Sequence, residues 1–257
     1  MALVTLTSDL GNRDFFVAAL KGAIIQECTA WPHIIDVTHQ VRPHDIKEAA
    51  YTVSNAYKYF PAGSIHVVHI SSSLSHGRML LAEADGHYFI TYDTGLLSLL
   101  FGSRPYKVYL INEELGEHST LLGEKTIAHV VSLLQQEYLP KDFAQPFTEA
   151  VEFRLLQPVT NSGSIRGSVI YIDHFGNAVS NISKEMFERS MAGKRYSVFA
   201  NVGNTNQIST KYDEVEEGEM VCLFNSAGFL EVGICKGKAE NLLGLRIDSP
   251  VLVIAEN

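Results

Sequence analysis

The sequence predicts an α/β domain followed by a small all-β domain, and three observations carry this. Strand-length apolar runs alternate with segments of helical period up to about residue 140. From Gly167 onward short strands and turns replace that alternation, and helical period survives only around residues 184–191. Between the two textures, residues 141–166 read as irregular, with Pro146, Pro158 and Asn161-Ser162-Gly163. The expected architecture is an α/β N-terminal domain (1–161) with a largely parallel central sheet, then a C-terminal β-barrel domain (162–257).

The elements follow in order. Leu3, Val4 and Leu6 open a strand that Ser8-Asp9-Leu10-Gly11 breaks, and 15–28 reads as a helix. Residues 34–38 form a second strand, 39–45 a loop in which Pro43 forbids helix, and 45–59 a helix that Pro61-Ala62-Gly63 ends. Residues 64–70 are a β-branched strand and 71–77 a loop of small polar residues. Residues 78–84 and 88–91 form a hairpin about Asp85-Gly86. A short helix at 96–101, a strand at 107–111 and a helix at 126–136 complete the first domain. The second domain has strands at 168–173, 195–201, 220–224, 229–234 and 251–254.

Composition narrows the function. The chain has 257 residues and net charge −9 with no basic run. A nucleic-acid surface needs clustered Lys and Arg, so it is not expected. Cys28, Cys222 and Cys235 are scattered and odd in number, with no CxxC pair, so they read as small buried hydrophobes in a reducing compartment. The N-terminus lacks a basic segment and enters a strand at once, and no apolar run suffices for a bilayer. The expectation is a cytoplasmic protein that does not engage membranes.

Several chemical motifs are absent: no phosphate loop with Lys, no GxGxxG after the first strand, no GxSxG, no HExxH. His33, His39 and His44 are too loosely spaced to suggest a metal site, and His66 and His69 point to opposite faces of one strand. Asp9 stands at a strand tip, where open α/β sheets bind ligands. Its carboxylate suits a vicinal diol such as a ribose, or equally a cap for the following helix. Ser71-Ser72-Ser73-Leu74-Ser75-His76 reads as a solvated turn. Asp173-His174-Phe175-Gly176-Asn177, followed by Asn181, groups an acid, a ring and amides that suit an amino-acid headgroup. Asn225-Ser226-Ala227-Gly228 reads first as a hairpin turn.

Taken together, these stretches resemble the SAM hydroxide adenosyltransferase family, whose relatives include the SAM-dependent fluorinase and chlorinase. TSDLGNRD, IIDVTHQVRPHDIKEAAY, YFPAGSIHV, DTGLLSLL, IDHFGNAVSNI and NSAGFLEVGI match the family's motifs in order over nearly the whole chain. The resemblance implies an N-terminal α/β domain and a C-terminal β-barrel. It also implies a homotrimer, with S-adenosylmethionine (SAM) as substrate and no separate cofactor, bound between one subunit's N-terminal domain and a neighbour's C-terminal domain.

By resemblance, Asp9 is the ribose-binding acid, and Asp14, Asp173, Asn177 and Ser226 contact the methionine end. Phe175 lies in the same substrate-binding turn. Ala227 replaces an Arg of the halogenases, and His44 stands where they stack a Trp on adenine. Hydroxide-using members carry an Asp-Arg-His set that activates water. Here Ser71 stands for the Asp, Arg78 is kept and Leu122 stands for the His; halogenases have Tyr at the Ser71 position. The implied reaction is attack of water on C5′ of SAM, giving adenosine and L-methionine, slowed by the altered set, with Arg78 and Ser71 at the catalytic positions. The other reading, a protein of a different class, is an inactive SAM or adenosine sensor.

Overall fold

A computed structural model of the chain describes residues 2–70, 77–111 and 123–256. It forms two compact units, Met1–Arg154 and Leu155–Asn257. The first unit runs β1 (Leu3–Ser8), α1 (Phe16–Glu27), β2 (His33–Thr38), α2 (Ile46–Ala56), β3 (Ile65–His69), β4 (Met79–Ala84) and β5 (His87–Tyr92). It continues through α3 (Leu96–Phe101), β6 (Lys107–Ile111), α4 (Glu124–Gln135), α5 (Pro140–Phe143) and β7 (Ala144–Pro146). The strands lie in the order β2-β1-β3-β5-β4-β6-β7.

This sheet is mixed, which corrects the expectation of a largely parallel one. β1 pairs in parallel with β2 and β3, and β3 with β5. β4 runs antiparallel to both β5 and β6, and β6 to β7. The reason is local. Asp85 and Gly86, both at positive φ, turn the chain in a tight hairpin that leaves no room for a crossover helix.

Both faces of the sheet are covered, so its central strands are buried on alternate residues of either side. Val4, Leu6, Ile65, Val67, Met79 and Leu81 meet Leu20 and Ile24 of α1 and Ile127, Val130 and Val131 of α4. Val68, Leu80, Ala82 and Phe89 meet Ala49, Ala50 and Val53 of α2 and Leu96, Leu97 and Leu100 of α3. Asp45 starts α2 as an N-cap, accepting from the N–H groups of Lys47 and Glu48.

The second unit comprises β8 (Val159–Asn161), β9 (Ser164–Ile172), β10 (Ala178–Ser183), α6 (Lys184–Met191), β11 (Tyr196–Ala200) and β12 (Gly203–Thr205). β13 (Met220–Phe224), β14 (Phe229–Ile234), α7 (Ala239–Leu242) and β15 (Pro250–Ala255) follow. The strand order is β12-β11-β15-β9-β10-β14-β13, all antiparallel, with β8 beside β9. Gly203 of β12 lies against Met220 of β13, so the sheet curls into a nearly closed barrel. Ile165, Val169, Ile182, Val198, Leu230, Val232, Val251 and Val253 fill it.

β8 and β10 were not legible as strands. In β10 the register against β9 shifts after Val179, and Ala178, Val179 and Ser180 are buried in succession. The period-two pattern that marks a strand is broken there.

Candidate functional site

The connections around β1 and β3 leave in opposite directions. α1 carries the chain from β1 outward to β2, and β3 leads toward the β4–β5 side. Ligands in open α/β sheets bind beyond the carboxyl ends of strands at such a reversal. Ser8, which ends β1, pairs with His69 of β3, so Asp9 emerges at this crevice.

α1 begins only at Phe16, and its N-cap Phe15 makes no side-chain cap bond. The capping alternative for Asp9 therefore fails. Its Oδ2 instead accepts the His44 N–H at 2.9 Å. His44 is at φ 66, a left-handed conformation that turns its amide toward the carboxylate. Gly11 N–H donates to the His39 carbonyl (2.7 Å) and Val41 N–H to that of Ser8 (3.3 Å), fastening the 39–45 loop over the Asp9 turn. Asp14 is exposed on the next loop.

Arg78 immediately precedes β4, at the same rim. Its Nη2 is 2.6 Å from Oδ2 of Asp93, which follows β5 directly and is only 1 % exposed. Asp93 Oδ1 also accepts the Val151 N–H at 2.8 Å, and the guanidinium lies over the Phe147 ring. Asp93 opens the DTGLLSLL stretch but was not singled out as a site residue, although a second signal existed: Asp93-Thr94-Gly95 repeats the layout of Asp9-Leu10-Gly11, an acid at a strand tip two residues before a positive-φ glycine. Ser71 and Leu122 lie outside the described residues.

In the barrel unit, Asp173 Oδ1 accepts from the N–H groups of Phe175 (2.9 Å) and Asn177 (2.8 Å), and Oδ2 from Asn177 Nδ2 (3.0 Å). The acid thus orders its own turn and presents the 69 %-exposed Phe175 ring. Asn181 is structural: it accepts from Ser168 N–H and donates to the Leu156 carbonyl. Ser226 is exposed on the β13–β14 turn, which Asn225 Oδ1 organises by accepting from Ala227 and Phe229 N–H. Buried Glu231, part of the NSAGFLEVGI stretch but not named as a site residue, receives Asn225 Nδ2 (3.0 Å) and Tyr212 Oη (2.6 Å). The two turns sit at opposite ends of β10: Asp173 and Asn177 precede Ala178, while Lys184 N–H donates to the Gly228 carbonyl.

His66 and His69 do face opposite sides. His66 stacks on Phe89, and His69 meets Tyr92 edge-on. Among the described residues no group of three or more His, Cys, Asp or Glu is placed to hold a metal ion. No helix among them is long and apolar enough to cross a membrane.

Fold and rim together define a two-domain protein: a mixed α/β sheet with an acid at its topological reversal, followed by an antiparallel barrel. Sequence profiles make the class specific. The SAM hydroxide adenosyltransferase N-terminal domain matches residues 4–144 and the C-terminal domain residues 167–252. The chain belongs to the SAM hydroxide adenosyltransferase family.

A protein from Methanocaldococcus jannaschii named (R)-S-adenosyl-L-methionine hydrolase is 27% identical, over 95% of this chain and 92% of its own. One of the same name from Thermus thermophilus is 27% identical over 99% of this chain and 100% of its own. The crystal structure of an uncharacterized conserved protein from Thermotoga maritima superposes with TM-score 0.87 at 22% identity, covering 98% of this chain and 99% of that one. It shares the fold.

Proposed function

We propose that this protein hydrolyses SAM to adenosine and L-methionine. Water oxygen forms the new bond to C5′ while the C5′–S bond breaks. The electron pair neutralises the sulfonium, and a proton passes to solvent. Sulfur needs no acid to leave, so the protein's task is in-line placement of water in a partly dry pocket, and no cofactor enters.

Asp9 takes the ribose hydroxyls, Asp173 the α-ammonium, and Asp14 and Asn177 the rest of the methionine end; Ser226, on the turn at the far end of β10, stands apart from the Asp173 turn of its own barrel. The Phe175 ring offers a face to the substrate. The observation that carries the reading is the Asp9 carboxylate, held by the His44 amide at the sheet's reversal and not spent on a helix cap. The site is completed in a homotrimer, each pocket drawing on two subunits. Light scattering at micromolar protein checks that; a monomer contradicts it.

Ser71 and Leu122 stand where water-activating members have Asp and His, so turnover is slow against that of family members. The inactive-sensor reading draws on one observation: the ion pair with Asp93 already engages Arg78, the retained member of the set. Incubation with SAM followed by product chromatography separates the two. Adenosine supports hydrolysis; unchanged SAM with measurable binding supports the sensor.

A further inference from the structure

We infer that His39 is a positioning residue for substrate: bridging Ser8 and Asp36, it holds the Asp9 turn in its binding conformation. The inference rests on the reading of Asp9 as the ribose acid.

His39 is 3 % exposed, yet both its ring nitrogens meet polar groups. Nδ1 is 2.7 Å from Ser8 Oγ. Nε2 is 3.1 Å from Asp36 Oδ1, close enough for an ion-pair contact though not aligned as a hydrogen bond. Lys21 Nζ donates to the other Asp36 oxygen at 2.6 Å. Burial pushes the Asp36 carboxyl up, but the Lys21 hydrogen bond and the close His39 ring outweigh it and hold it below the usual range.

A carboxylate beside Nε2 favours the proton there, which leaves Nδ1 to accept from the Ser8 hydroxyl. Ser8 Oγ in turn accepts the Leu10 N–H at 3.4 Å. The relay therefore runs from α1 through β2 into the turn that bears Asp9. The same loop returns the His39 carbonyl to Gly11 N–H and the His44 N–H to Asp9 itself.

Hydroxyl, imidazole and carboxylate stand here in the order of a nucleophilic triad. Ser8 is 1 % exposed, however, and part of a strand. No substrate reaches it, so the set orients and does not attack. The relay fixes a binding group through a buried partner, as outer-shell groups do around other sites.

The test has two arms. With adenosine as probe, His39→Ala should weaken binding about tenfold, the scale of one lost buried polar contact. His39→Asn, whose amide oxygen can still accept from Ser8, should recover most of it. In an Asp9→Ala background His39→Ala should add nothing, because its effect runs through Asp9. An equal loss in both backgrounds would overturn the inference, even with adenosine binding intact.

The second arm needs no ligand. Amide exchange at Leu10, Gly11 and His44 should accelerate in His39→Ala while the β3 amides stay protected. Unchanged exchange there overturns the positioning role. Failure of wild-type protein to bind adenosine or SAM overturns only the functional reading beneath it.

Discussion

The Arg78 guanidinium and the Asp93 carboxylate meet at 2.6 Å, with Asp93 buried and Arg78 half in solvent. The two ends of this pair are therefore unequal. Removing Arg78 leaves a buried charge without its counterion, and such losses cost about 3–5 kcal/mol. Removing the charge of Asp93 leaves an arginine that is 36 % exposed, so water reaches part of the guanidinium although Nε stays buried. Arg78→Ala should destabilise the protein by several kcal/mol in urea unfolding, and Asp93→Asn by roughly 1–3 kcal/mol. Equal effects would show that burial does not set the asymmetry.

His66 and His87 set an acid limit on stability. Their rings meet Nε2 to Nδ1 at 3.1 Å, and His66 Nδ1 is 2.7 Å from Thr5 Oγ1. Tyr57, Phe60 and Phe89 enclose them, and Asp85 is the nearby acid acting on His87. Burial, then the neighbouring His87, pushes His66 down from 6.5 to about 3. The fold thus keeps His66 neutral while the unfolded chain protonates below 6.5. This contribution is complete above that value and is lost as pH falls toward about 3. Between neutral pH and about pH 5 His66 alone should cost roughly 2 kcal/mol. His66→Gln should flatten the dependence in urea titrations across that range.

Much of this was legible, for definable reasons. β1, β3 and the hairpin about Asp85-Gly86 announce themselves by β-branched runs and turn chemistry. The direction of β4 was legible too, since a two-residue hairpin forces antiparallel pairing, but the α/β alternation elsewhere outweighed it. The place of Asp9 at the tip of β1 was legible; whether it capped α1 was not, because that depends on where the helix begins. Asp93 and Glu231 escaped because their roles are set by partners distant in sequence: Arg78 meets Asp93 across neighbouring strand ends, and Tyr212 meets Glu231 within the barrel.

Binding should depend on Asp9 more than on any neighbour in its turn. Asp9→Ala removes the charged acceptor, and losing a charged hydrogen-bond partner costs about 1.5–3 kcal/mol. Affinity for SAM or adenosine should fall roughly tenfold or more by calorimetry. The thermal midpoint should move little, because the Oδ2 bond to His44 is at an exposed site. Unchanged affinity would remove the assignment.

The last prediction concerns the altered catalytic set. A guanidinium offers five N–H donors and no acceptor, so Arg78 cannot serve as the base that takes a proton from water. It is also neutralised by Asp93. What it can do is present a fixed guanidinium at the rim. An Asp at position 71 and a His at position 122 would supply the residue types that the family resemblance implies for water-activating members. General acid–base groups contribute about 10²–10⁴-fold, so Ser71→Asp with Leu122→His should raise adenosine formation toward that range. Each change alone should do far less, because such residues act as a unit. Single-turnover assays with product chromatography read the difference. Two results would count against the account. Fast turnover by the unmodified protein would mean another catalytic set, with His69 or His76 the first to replace. A halide-dependent 5′-halo-adenosine would show that the chain accepts halide without the Tyr that the resemblance implies for halogenases at position 71.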